Sequence, residues 1–213
     1  MKRMLLFVLL CAVLPGCSNV CSVYPIYTQD SVTAVPEMLG TWAEKDQDGV
    51  VVISPGDNGG YTLQSRVDDG KVIKVDIHCT RIGRTLFADI FSDQRDNSED
   101  GFIGMPVHMF CTMEFKDSTL TMGFPDAKWF DAYFRQRPSA MHFVKHYESG
   151  EDSWIYLTDG TRRVRSFLKG CATRPKAFSV SHTLSKVSDS QVLPPETSPP
   201  AAEENKEGKE PGK

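Results

Sequence analysis

Alternation of apolar and polar positions dominates the chain. Between Lys71 and Ile82, Ile73, Val75, Ile77 and Cys79 share one face, with Lys74, Asp76, His78 and Thr80 on the other. This period of two marks a strand with one side buried. Pro106–Phe115 repeats it, setting Val107, Met109, Cys111, Met113 and Phe115 against His108, Phe110, Thr112 and Glu114. Shorter strands are predicted from Met38, over Gly49–Ser54, Tyr61–Val67, Thr119–Phe124, Ser139–Tyr147 and Ser153–Leu157. Arg84–Phe91 is apolar on both faces, which predicts a central or doubly covered strand. Dense turn signals at Ser54–Gly60 and Asp68-Asp69-Gly70 punctuate the strands. Ser92–Met105 is a long polar loop, and its Asp93, Asp96, Glu99 and Asp100 lack the spacing of a calcium loop.

Two segments change to helical spacing. Asp126 is a candidate N-cap, and Trp129, Phe130, Tyr133 and Phe134 form an apolar stripe over Ala127–Arg137, ended by Pro138. Thr158 or Asp159 is expected to cap a second helix through Lys169, with Val164, Phe167 and Leu168 inside and Arg162, Arg163 and Arg165 outside. Eight or nine strands at intervals of ~8–12 residues, with two short helices, predict a mainly β fold. The form is an antiparallel barrel or a strongly curved sheet.

The N-terminus follows a different pattern. Lys2 and Arg3 precede an apolar run of 11 residues, Met4–Leu14. A membrane span needs ~20 such residues, so this run reads as a secretory signal. Leu14-Pro15-Gly16-Cys17 follows and resembles the lipobox of bacterial lipoproteins, with Pro15 where a small or aliphatic residue is usual. The resemblance implies cleavage after Gly16 and membrane attachment through lipid on Cys17. Ser18 resembles the residue that permits transfer to the outer membrane in Gram-negative cells. The implied location is the bacterial cell envelope, at the outer membrane facing the periplasm if the cell is Gram-negative. The chain then divides into a signal peptide (1–16), a lipid-anchored linker (17–35), a β domain (36–182) and a Pro/Glu/Lys-rich tail (183–213) expected to be disordered.

Composition narrows the function. The 213 residues suit one domain with tails. The formal net charge of −4 becomes −6 without Lys2 and Arg3, and no basic face is clustered. Nucleic acid, whose binding rests on phosphate neutralisation, is thereby disfavoured. Of six cysteines, Cys11 leaves with the signal and Cys17 carries the lipid, which leaves Cys21, Cys79, Cys111 and Cys171. An exported protein can form disulfides, and four cysteines allow three connectivities. Cys79 and Cys111 both fall on apolar strand faces, so they can bridge if their Cα atoms lie within ~7 Å, or sit as small buried hydrophobes. A Cys21–Cys171 bridge is a further option. His142 and His146, on a strand, stand ~13 Å apart, too far for one metal ion. No nucleophile elbow, P-loop, zinc-protease motif or dinucleotide fingerprint is present. No cofactor is implied.

Gly40-x-Trp42 at the head of the β domain resembles the G-x-W signature of lipocalins, in which the tryptophan closes one end of the barrel. A longer series also carries a resemblance, to a family of uncharacterised bacterial lipoproteins. It runs through Arg81-Ile82-Gly83, Leu86-Phe87-Ala88-Asp89, Met105-Pro106-Val107-His108-Met109-Phe110, Leu120-x-Met122, Trp129-Phe130, Leu157-Thr158 and Val164-Arg165-Ser166-Phe167-Leu168. It covers Leu39–Gly170, implies a lipocalin-like β domain and lends no catalytic residues. The function expected is that of a non-catalytic envelope lipoprotein whose barrel mouth takes a small hydrophobic ligand or a protein partner. Trp42, Met105, Met109, Met113 and Met122 are the candidate cavity lining, because methionine adapts to varied shapes. The alternative is an envelope enzyme of the hydrolase class on the same scaffold.

Overall fold

The computed structural model describes residues 19–44, 49–66, 71–92, 106–147, 153–174 and 176–191. Cys17 and Met105 lie outside these residues. The strands are β1 (Asn19–Ser22), β2 (Gly40–Glu44), β3 (Val51–Pro55), β4 (Tyr61–Arg66), β5 (Val72–Ile82), β6 (Thr85–Phe91), β7 (His108–Lys116), β8 (Thr119–Phe124), β9 (Phe143–Tyr147), β10 (Ser153–Leu157) and β11 (Val180–Ser188). The helices are α1 (Ala127–Gln136) and α2 (Thr161–Cys171).

Eight strands close a lipocalin-like antiparallel barrel in the order β6-β5-β4-β3-β2-β11-β8-β7, and the β6–β7 pairing completes the ring. Closure leaves these eight strands without a free edge. The alternation seen in the sequence fills the interior. Val75, Ile77 and Cys79 of β5, Leu86, Ala88 and Ile90 of β6, and Cys111 and Met113 of β7 are all buried in one cluster.

A second core lies outside the barrel wall. β8 pairs with β7 only from Thr112 to Lys116, and β1 takes the remaining place beside His108 and Met109. β1 then pairs in parallel with β10, and β10 antiparallel with β9. The two helices cover this extension and the outer face of β6 and β7. Phe87, Phe110, Phe130, Phe134, Ile155, Leu157, Val164 and Leu168 meet there. A fully buried Phe or Leu of this kind contributes ~1.5–3 kcal/mol. β6 is therefore covered on both faces, as its two-sided apolar pattern predicts. Asp126 caps α1 as expected, accepting the Trp129 N–H at 2.9 Å.

Three expectations need correction, and the open question of the cysteines is decided. The linker expected over 17–35 is largely integrated into the fold: β1 lies between β7 and β10, and Val20, Cys21, Ile26 and Val35 are buried. The β domain does not end at 182, because β11 continues to Ser188 and pairs with both β8 and β2. α2 is capped by Gly160 rather than Thr158 or Asp159. The Asp159 carboxylate instead accepts hydrogen bonds from the His142 main chain and Arg163. Finally, Cys79 and Cys111 both face inward but are free thiols, as are Cys21 and Cys171. Ala88 pairs with Cys79 on one side and Cys111 on the other. Two strand spacings of ~4.8 Å separate the cysteines, beyond the reach of a disulfide.

Candidate functional site inside the barrel

The two ends of the barrel are built differently. At one end the chain enters through a single 3-10 turn, Pro36–Met38, which places Met38 inside the barrel. Trp42, two residues after the positive-φ Gly40, is 1% exposed beside it. Its indole N–H donates to the Met38 carbonyl at 2.8 Å. Phe115 meets the indole edge-on at 6.2 Å, and the Lys186 ammonium stands 5.3 Å from the ring centroid. The Val35 N–H donates to the Tyr61 hydroxyl at 2.6 Å, and the Cys79 thiol to the Met38 sulfur at 3.1 Å. This end is plugged. Outside the plug, Glu37, Trp42, Phe115, Asp117 and Lys186 border a surface cleft of about 350 Å³.

At the opposite end β2, β4 and β6 finish, and the connections that follow them (45–48, 67–70 and 93–105) lie outside the described residues. Met109 and Met122 are only partly buried there, while Met113, deeper in the barrel, is buried. The five residues expected to line one cavity are thus divided. Trp42 belongs to the plug, Met113 to the solid core, Met109 and Met122 to the opposite end, and Met105 lies outside the described residues.

Beside Met122 stands a polar pair that the sequence does not reveal. Glu44 follows Trp42 by two positions on β2 and shares its inward face; His182 precedes Leu184 by two on β11 and shares its own. The His182 Nδ1 lies 3.3 Å from Glu44 Oε1, and each side chain is 18% exposed. With its proton on Nδ1, the imidazole donates to the carboxylate. His182 is the register partner of Met122, and its ring meets Phe124 edge-on at 5.7 Å. The other carboxylate oxygen, Glu44 Oε2, is buried without a hydrogen-bond partner among the described residues. Buried polar atoms are nearly always paired, so such an oxygen calls for a donor.

A second histidine–carboxylate pair lies outside the barrel wall. Asp89, with no exposed side-chain surface, accepts the His108 Nδ1–H at 2.7 Å on one oxygen and the Ile26 N–H at 2.7 Å on the other. Phe91 stacks on the imidazole at 4.8 Å. Ser22 is opposite His108 in the β1–β7 register. Serine, histidine and aspartate thus share one face, but Ser22 is fully buried and its hydroxyl accepts the Tyr24 N–H at 3.3 Å. Arg165 of α2 grips the same segment from the other side, donating to the Ile26 carbonyl at 2.7 Å and to Thr80 at 2.9 Å. The arrangement fastens the N-terminal segment to the barrel.

No group of three or more His, Cys, Asp or Glu among the described residues is placed to hold a metal ion. No helix among them is long and apolar enough to cross a membrane. No protein-family model, curated protein or solved structure matches the chain.

Proposed function

We propose that the protein is a non-catalytic lipoprotein of the bacterial cell envelope, anchored by lipid on Cys17, that takes a small hydrophobic ligand through the end of its barrel opposite Trp42. The observation that carries the ligand reading is the asymmetry of the barrel. Trp42, Met38 and Val35 plug one end, and Met109, Met122 and Phe124 supply adaptable apolar surface towards the other. The anchoring reading draws on the basic and apolar leader and on Gly16-Cys17. A fluorescent neutral probe, N-phenyl-1-naphthylamine, tests the first part. Saturable binding that weakens in Met122→Glu supports it, and no binding by the folded chain overturns it. Intact mass of protein extracted from its native membrane tests the second: acylated Cys17–Lys213 is expected, and an unmodified cysteine overturns it.

The hydrolase alternative draws on Asp89 and His108, which have the relative geometry of an oriented general base. Full burial of Ser22 favours the structural use of that pair. Hydrolysis of p-nitrophenyl esters that disappears in His108→Gln would revive the enzyme reading.

A further inference from the structure

Among the described residues the barrel interior holds a feature that an apolar ligand alone does not explain: a carboxylate on the inward face of β2, at the end opposite Trp42, with one oxygen that takes no hydrogen bond. We propose that Glu44 and His182 form the polar end of the ligand site, and that they select an amphiphile with a cationic, hydrogen-bond-donating head such as a primary ammonium. This inference rests on the ligand reading above and names the class of ligand.

Three observations support it. Glu44 Oε2 is buried and has no donor among the described residues, whereas Oε1 faces His182 at 3.3 Å. An ammonium brings three N–H donors and no acceptor, so it can supply the missing bond, and charge assistance shortens and strengthens it. The apolar surroundings are in place: Met122 is the register partner of His182, and Phe124 meets its ring at 5.7 Å. An alkyl chain beginning at Glu44 would lie along these side chains. The charge is of the right sign. Lys186, also on the inward side of β11, sits over Trp42 at the plugged end and bonds Asp189 at 3.2 Å. A fatty carboxylate would instead place a like charge beside Glu44, which disfavours both charged forms.

The test compares three probes with the same alkyl chain on the full-length protein. Dodecylammonium, dodecanol and dodecanoate, each below its micellar concentration, compete against N-phenyl-1-naphthylamine. Dodecylammonium is expected to compete at about tenfold lower concentration than dodecanol, with dodecanoate the weakest. Glu44→Gln, which keeps the shape of the side chain, should remove that tenfold preference. His182→Gln retains the carboxylate and should retain the preference. Equal competition by all three, or a preference that survives Glu44→Gln, overturns the head-group assignment while the ligand reading stands. If neither the naphthylamine nor any dodecyl probe binds the folded protein, both fall together.

Discussion

The Asp89 carboxylate holds the main chain of Ile26 across 63 positions of sequence, accepting its N–H at 2.7 Å. Its other oxygen takes the His108 imidazole, so one buried side chain joins the N-terminal segment to β6 and β7. Asp89→Ala would leave an imidazole and a main-chain N–H without their acceptor in a buried place. A loss of about 3 kcal/mol in urea unfolding is expected. Hydrogen exchange at Ile26 should accelerate more than at Ala88.

Cys79 and Cys111 should be inert in the native protein. Burial pushes the Cys79 thiol up to about 12, as it does those of Cys21 and Cys171, and raises Cys111 further. Thiolate is the reactive form, so almost none is present at neutral pH. A Cys17→Ser chain treated with a thiol reagent should label none of these four cysteines while folded and all four in denaturant. Its mass, once the leader is removed, should not change on mild reduction.

Trp42 is the keystone of the plugged end. Trp42→Ala removes a fully buried indole and should cost ~3–5 kcal/mol. Trp42→Phe keeps most of the volume but leaves the Met38 carbonyl without its donor, at a cost of about 1–3 kcal/mol. Chemical unfolding of the two variants checks the order.

Phe130 is fully buried in the second core, against Phe134, Phe167 and Phe178. Phe130→Ala should destabilise by ~3–5 kcal/mol through the cavity it leaves. If the barrel holds its own core, probe binding beside Met122 should survive in the fraction that remains folded.

Asp159 gives an acid limb to stability. Its carboxylate accepts the His142 N–H at 2.9 Å and also faces the His142 ring and Arg163, and these contacts hold its carboxyl below the usual range. In the unfolded chain the group returns to ~3.9. Its contribution is therefore complete above that value and is lost as pH falls through the lower folded value. Asp159→Asn should lower the urea midpoint at pH ~6, with the gap to the parent closing below pH ~4. A gap that widens on acidification would contradict this assignment.

Much of the barrel was legible because its strands keep one face towards a single core. The alternation in β5 and β7 placed Cys79 and Cys111 inside the barrel. Parity cannot count strands, however, so it could not show that Ala88 stands between them. β1 escaped because Val20, Cys21 and Ser22 are buried in succession, a consequence of neighbours on both sides and cores on both faces. Four residues without alternation carry no strand signal. β11 went unpredicted, and the domain was ended at 182, because Leu184 is the main apolar residue in an otherwise polar run. The Glu44–His182 pair was invisible for a different reason. Its partners are 138 positions apart, and no local spacing announces a contact made by closing a barrel.

The parallel placement of β1 beside β10 sets an order on folding. Asn19–Ser22 cannot complete its ladder until Trp154–Leu157 exists, and Ile26 is joined to Arg165 across 139 positions. Contacts so distant in sequence are slow to form, because the loop entropy is lost before any pairing compensates it. A chain emerging from its N-terminus would hold Val20 and Ile26 exposed while β2 to β8 are still being made. Its earliest anchors are Asp89 on Ile26 and the pairing of β1 with β7, and Arg165 completes them only when the second helix arrives. The first strand synthesised is among the last to find its place.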